Sequence, residues 1–110
     1  MATHLFSSAG PSGLACLISS QAVRVITWNQ IESIRAFHRT DEHSEYAVVW
    51  IRTPEDMFPV EFTEHDPRWS SLLEAFSKNL EGVVPFEKWF PAPLHPVFEL
   101  NAHGVYSKPA

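Results

Sequence analysis

The chain has 110 residues, of which 45% are hydrophobic and 13% aromatic, and its formal net charge at pH 7 is -5. This length fits a single domain spanning residues 1–110, and the apolar content excludes a chain too polar to form a core. The acidic balance argues against nucleic acid and anionic membranes as partners, because both carry negative charge themselves.

The single cysteine and the N-terminal composition predict where the protein works. Cys16 is alone, so no internal disulfide forms, and a reducing compartment is the simpler interpretation. Residues 1–20 contain no Lys or Arg and only broken apolar runs, a pattern unlike a signal peptide or a membrane span. We therefore expect a cytoplasmic protein.

Short strands are predicted through the first third of the chain. Residues 1–13 are small, polar and interrupted by Gly and Pro, which predicts a loose N-terminal arm or a weak first strand. Residues 14–19 form a short predicted strand, and residues 23–28 form a better one because they are rich in β-branched side chains. After a turn at residues 29–30, residues 31–39 alternate imperfectly between apolar and polar.

The middle of the chain predicts one central and one edge strand. A polar hairpin connection at residues 40–45 precedes residues 46–51, which are almost continuously apolar. Such a run is typical of a central strand covered on both faces. Residues 58–63 alternate, which predicts a half-buried strand, and Pro59 places it at a sheet edge.

The clearest element is an amphipathic helix predicted over residues 67–80. Asp66 suits the N-cap position, Pro67 the first helical position, and Gly82 a left-handed stop. The apolar side chains of this segment recur at helical spacing and form one stripe; they are Trp69, Leu72, Leu73, Phe76 and Leu80. A helix with one apolar face requires a sheet on which to pack.

Shorter elements are predicted after the helix. Pro85 can start a single helical turn, and a stiff Pro-rich segment follows. Residues 97–100 and 105–106 can each form a short strand or pack against the domain as a tail. Together these predictions give an α+β fold, a bent antiparallel β-meander closed by one main C-terminal helix.

The order of these elements resembles that in a family of small bacterial proteins. The matching residues are Trp28, Ile31 and Ile34 in a W-x-x-I-x-x-I pattern, then Leu80 and Gly82, Trp89, Pro96, Phe98 and Asn101, and Tyr106. The resemblance covers residues 22–108 and implies a pleckstrin-homology-like architecture. Some similar proteins look like cytoplasmic immunity proteins encoded beside secreted toxins. The resemblance thus implies a protein-binding domain that neutralises a cognate bacterial toxin by occluding its active site.

Acidic loops and one tryptophan are the candidate partner-binding residues. Trp28, Trp50 and Trp69 are predicted core, whereas Trp89 lies in a short irregular segment and is the candidate apolar anchor. The acidic candidates flank the predicted strands and would meet a basic cleft on the partner; they are Asp41, Glu42, Glu45, Glu55, Asp56 and Glu64.

A different class of function remains open, namely a small-ligand- or phospholipid-binding module on the same fold. It requires a basic pocket, for which the strands offer Arg24, Arg35, Arg39 and Arg52.

No pattern predicts an enzyme, a metal site or a cofactor. His38 and His43 lie near carboxylates, but no second Cys/His pair at fixed spacing completes a metal site, and a solvated hairpin is the simpler interpretation. His65 beside Glu64 could act as a general base. Asp66, however, is better explained as a helix cap, and Ser70 and Ser71 lack an elbow motif around them.

Overall fold

The computed structural model describes residues 4–17, 22–40, 42, 45–84 and 103–108. These residues form two antiparallel sheets, one α-helix and one short 3₁₀ turn. The strands are β1 (Leu5–Ala9), β2 (Gly13–Leu17), β3 (Val23–Thr27), β4 (Ser33–Thr40), β5 (Glu45–Arg52), β6 (Val60–Thr63) and β7 (His103–Ser107). The helix α1 spans Trp69–Asn79, and the 3₁₀ turn spans Trp28–Gln30.

The first sheet has the strand order β1-β2-β3. Its first strand, Leu5–Ala9, pairs antiparallel with β2. For these residues the loose-arm prediction is therefore wrong, and the alternative of a weak first strand is correct. The reason is burial: Phe6 lies in the core opposite Cys16. Backbone N–H of His4 also donates to the carbonyl of Glu61 at 2.8 Å, which connects the start of β1 to β6.

The second sheet has the order β6-β5-β4-β7. The prediction of a central, doubly covered strand is confirmed by β5, whose Ala47, Val48, Val49 and Ile51 are all buried. The edge position of β6 is also confirmed. The prediction that this strand alternates between buried and exposed residues is wrong, because all four residues of β6 are buried. Phe58, predicted to alternate into this strand, precedes it and is exposed.

The helix begins two residues later than predicted. Asp66 is not its N-cap: the carboxylate accepts from N–H of Arg68 at 2.8 Å and from N–H of Phe6 at 2.7 Å. Arg68 occupies the cap position without a side-chain cap bond. Asp66 therefore joins β1 to the start of α1. The predicted positive φ at Gly82 is confirmed, at 81°.

One hydrophobic core joins both sheets and the helix. The predicted helical stripe is confirmed: Trp69, Leu72, Phe76 and Leu80 are buried, and Leu73 packs partly buried against the core. Trp28 is likewise a core residue. Trp50 was predicted as core but is only half-buried. Its ring meets the ring of Phe37 edge-on, with the ring centroids 4.8 Å apart. Cross-strand register puts that pair on the opposite face of the second sheet from core residues such as Ile51.

The structure confirms a small α+β domain, but α1 is not its last element. The predicted strand around residues 105–106 forms as β7, which pairs with β4 through Ser33 opposite Ser107. The predicted strand at 97–100 and the helical turn from Pro85 lie outside the described residues.

Candidate protein-binding surface

The connection between β5 and β6, residues 53–59, is held in a defined shape by one buried residue. Thr53 is buried, and its carbonyl accepts from N–H of Asp56 at 3.4 Å. Its hydroxyl donates to the Asp56 carboxylate. We call this segment the 53–59 turn.

An ion pair fixes the 53–59 turn against the other sheet. Arg24 on β3 donates both guanidinium nitrogens to the Asp56 carboxylate, with Nη1 at 2.9 Å from Oδ1. The hydrogen bond from Arg24 holds the pKa of Asp56 below its ordinary value, and the same bond raises the pKa of Arg24. The Asp56 carboxylate is therefore engaged in an ion pair within the fold.

A second contact orients the acidic residue beside it. Glu55 is exposed, and its Oε1 accepts from Nε2 of Gln30 at 2.8 Å. Oε1 of Gln30 in turn accepts from backbone N–H of Thr27 at 3.0 Å. The Glu55 carboxylate is thus an exposed surface charge, held in position by Gln30 at the end of β3.

Two large apolar side chains directly follow these anchored residues. Met57 is 83% exposed and Phe58 is 63% exposed. On β3, to which the turn is tied, Val23 and Val25 are 64% and 62% exposed. Single exposed apolar residues are ordinary, whereas several close together are typical of an interaction site. Met57 and Phe58 are adjacent on the turn, and Val23 and Val25 lie on β3, on the face opposite the Arg24 side chain that binds the turn. We call these four exposed residues the β3–turn surface.

The predicted acidic residues that the structure describes do not form one face. Glu42 and Glu45 are exposed at the β4–β5 connection, whereas Glu55 and Asp56 lie beyond the other end of β5. A strand of eight residues separates the two groups by roughly 25 Å. Glu64 lies towards the first group, where its Oε1 accepts from N–H of Ala47 at 2.6 Å.

Two predicted partner-binding residues, Asp41 and Trp89, lie outside the described residues.

The arginines considered for a ligand pocket are partly neutralised within the fold. Arg24 is bound to Asp56. Arg39 binds buried Glu61 through two bonds, of 2.9 and 2.6 Å, and Nε1 of Trp50 donates to the same carboxylate at 2.9 Å. Arg35 and Arg52 are exposed. Of these four arginines, Arg35 and Arg52 are the two that offer an exposed charge to an anionic ligand.

The Cys16 thiol and the His65 ring both lie in packing contacts. Burial raises the pKa of the Cys16 thiol to about 11, so the nucleophilic thiolate is scarce at neutral pH. The His65 ring packs against Tyr46, with centroids 4.4 Å apart. Among the residues that the structure describes, no three His, Cys, Asp or Glu side chains form a group that could hold a metal ion.

An open groove of about 720 Å³ lies between β1 and α1. Its polar lining carries both charge signs; it includes Ser7, Ser8, Arg68, Ser71, Glu74 and Lys78. The mixed charge and open shape fit a solvated furrow better than a ligand site.

Sequence reasoning did not identify the apolar part of the β3–turn surface. A usable signal was present, since Met57 and Phe58 stand between Pro54 and Pro59, and two closely spaced prolines favour a loop over a strand. Val23 and Val25 were assigned to a strand, but the exposed face of that strand depends on sheet order.

Comparison with models of protein families, with curated proteins and with solved structures finds no match to this chain. Within the described part of the chain, no helix combines the length and hydrophobicity that a membrane crossing requires. The interpretation of the β3–turn surface therefore rests on its own geometry.

Proposed function

We propose that this chain is a protein-binding domain, and that it acts as an immunity protein that neutralises a toxin by covering the active site. The observation that carries the proposal is the β3–turn surface, an exposed apolar group on a turn held by an ion pair. We also propose that the fold is pleckstrin-homology-like, since two antiparallel sheets with one packed helix are compatible with it.

The anchoring of the turn matters for affinity. A flexible loop loses conformational entropy when it binds, whereas a segment already fixed in place loses less. Asp56 and Thr53 fix the turn immediately before Met57 and Phe58. Large apolar side chains held in this way are typical of the few residues that dominate binding energy in an interface.

The charge around the surface suggests the character of the partner. Glu55 lies beside the apolar residues, and the whole chain carries a net charge of -5. Such a surface would attract a partner whose binding face is apolar at its centre and basic at its rim, as at a cleft that binds an anionic substrate. Covering that cleft would block access without any chemistry by this chain.

The ligand-binding alternative has less support from the geometry. A phospholipid headgroup needs several unpaired cations in one place, and two of its four candidate arginines, Arg24 and Arg39, are bound to internal carboxylates.

The proposal is tested with the protein encoded beside this gene. We expect the two purified proteins to form a 1:1 complex in size-exclusion chromatography with light scattering, and the chain to suppress toxicity when co-expressed. The double variant M57S/F58S should bind about tenfold or more weakly in calorimetry, because it removes both apolar contacts.

Leu5→Ser is the matched control. Leu5 is 46% exposed and lies on β1, at the far edge of the first sheet from β3. No complex with the neighbouring gene product, or equal binding by M57S/F58S and the wild type, would overturn the proposal.

A further inference from the structure

The outer edge of β3 carries backbone groups that point away from its sheet. Successive strand residues direct their N–H and C=O groups to opposite sides. N–H of Trp28 donates towards Ser12, on the β2 side, whereas N–H of Thr27 bonds to the Gln30 side chain. By this alternation Val25 and Val23, like Thr27, direct their backbone groups away from β2.

Among the residues that the structure describes, this edge lacks most of the features that protect sheet edges. Natural edges are protected by bulges, prolines and free charges. The β2–β3 register runs without a bulge from Gly13 opposite Thr27 to Leu17 opposite Val23. The only charged residue of β3, Arg24, is engaged by Asp56. Among the described hydrogen bonds, the outward N–H groups of this edge have one partner, the Gln30 side chain, which covers the backbone N–H of Thr27.

Exposed side chains accompany these backbone groups. Val23 and Val25 alternate with Arg24 and so lie on one face. Their cross-strand neighbours on that face are Leu17 and Ala15, both partly exposed. A strand added at this edge would find hydrogen-bonding groups and an apolar face together, which is the arrangement used when a sheet binds an extended peptide.

We propose that the partner protein adds an extended segment to the edge of β3 at residues 23–25. The segment carries β-branched or apolar side chains at alternate positions, next to Val23 and Val25, and a basic residue that reaches Glu55. This inference rests on the proposed protein-binding function and specifies the binding mode: main-chain hydrogen bonds supply affinity, and the two valines and Glu55 supply selectivity.

A second copy of this chain fits the same edge poorly. An antiparallel twofold axis that pairs Val23 with Val25 of the copy places Arg24 directly opposite Arg24 of the copy. That pairing gains no opposite-charge contact between the two chains, because each arginine is already bound to its own Asp56. A twofold axis at Val25 instead requires the N–H of Thr27 to donate a hydrogen bond to the copy. That N–H already donates to the Gln30 side chain. A strand of different sequence meets neither restriction.

The probe is a synthetic linear decapeptide, selected on the intact chain from a random phage-displayed library. We expect selected sequences to alternate β-branched residues and to contain Lys or Arg. When the peptide binds, amide hydrogen exchange at Val23 and Val25 should slow about tenfold or more, because these N–H groups gain partners. Exchange at Arg24 and Ile26, which face β2, should change little.

Two variants test the edge. Val25→Lys replaces an apolar side chain of the edge strand with a charged one, and Val25→Pro removes the outward N–H, a change that an edge strand tolerates. Each should weaken peptide binding about tenfold or more. Leu5→Lys, on the same sheet but on the opposite edge strand, should bind like the wild type. Circular dichroism checks that each variant folds; if Val25→Pro does not fold, Val25→Lys decides.

Three outcomes overturn the inference: no peptide is enriched, a peptide binds without slowing exchange at Val23 and Val25, or light scattering shows a dimer that Val25→Lys abolishes. The same variants separate this inference from the proposed function. If M57S/F58S weakens binding of the neighbouring gene product and Val25→Lys does not, the protein-binding function stands and strand addition is wrong.

Discussion

At the scale of single residues, charged side chains of this domain are used to connect parts of the fold. Arg24 and Asp56 join the two sheets, while Arg39 and Trp50 satisfy the buried carboxylate of Glu61. A buried carboxylate without such partners would be strongly unfavourable. The pairing therefore explains how β6 carries an acidic residue at a fully buried position.

Replacing Asp56 with Asn should lower stability in a way that depends on pH. We expect a loss of about 1–2 kcal/mol at neutral pH, since the bond to a charged group is lost in a partly exposed site. Arg24 holds the pKa of Asp56 below its unfolded value. The stabilisation is thus present above that unfolded value, near 4, and is lost as the pH falls through the folded pKa.

Urea unfolding of the wild type and D56N at neutral and acidic pH measures this difference. Glu74→Gln, on the exposed face of α1, is the control, and its effect should stay within about 0.5 kcal/mol. A difference between wild type and D56N that is equally large in acid would show that the ion pair is not its cause.

At the scale of elements, α1 contributes to the core through one stripe. Its buried residues come from successive turns, and Phe76 is among the most deeply buried side chains of the chain. The first turn lacks a side-chain cap bond. Packing, more than capping, therefore holds this helix in place.

Phe76→Ala should destabilise the domain by about 3–5 kcal/mol, because it removes a buried ring and leaves a cavity. Ser77→Ala, at the next and exposed position, should change stability by less than about 0.5 kcal/mol. Thermal unfolding followed by circular dichroism compares the two. A Phe76→Ala variant as stable as Ser77→Ala would mean that the ring does not lie in the core.

At the scale of the whole molecule, three contacts connect elements that are distant in sequence. Asp66 ties β1 to α1, His4 connects β1 to β6, and the Arg24–Asp56 pair connects β3 to the 53–59 turn. Each contact joins the first sheet to a part of the chain beyond β5. The first sheet is thereby fixed relative to α1, β6 and the 53–59 turn.

Asp66→Ala should loosen the N-terminal strand. Phe6 N–H would lose its buried acceptor, at a cost of about 1–3 kcal/mol. Hydrogen exchange at Phe6 should become faster by more than exchange at Val49 in the centre of β5, since the change is local to β1. Asp66→Asn retains one acceptor oxygen, so its exchange rate at Phe6 should lie between those of the wild type and D66A. Equal exchange at Phe6 in wild type and D66A would contradict the role of Asp66.

Some features of this protein follow from the sequence alone. The apolar stripe of α1 and the central, doubly covered position of β5 were predicted correctly, because each depends on the spacing of side chains within one segment. The same local rule predicted the edge position of β6 from Pro59. The acidic charge and the single cysteine are likewise properties of composition.

Other features were decided only by tertiary structure. The acceptor of Phe6 N–H is 60 residues away in Asp66, Arg24 meets Asp56 across 32 residues, and Glu61 meets Arg39 across 22. Local spacing carries no information about such partners, so Asp66 looked like a cap and Asp56 like a free surface charge. The exposure of Met57, Phe58 and the β3 valines depends equally on which strands neighbour which. The candidate binding surface is therefore a property of the assembled sheets.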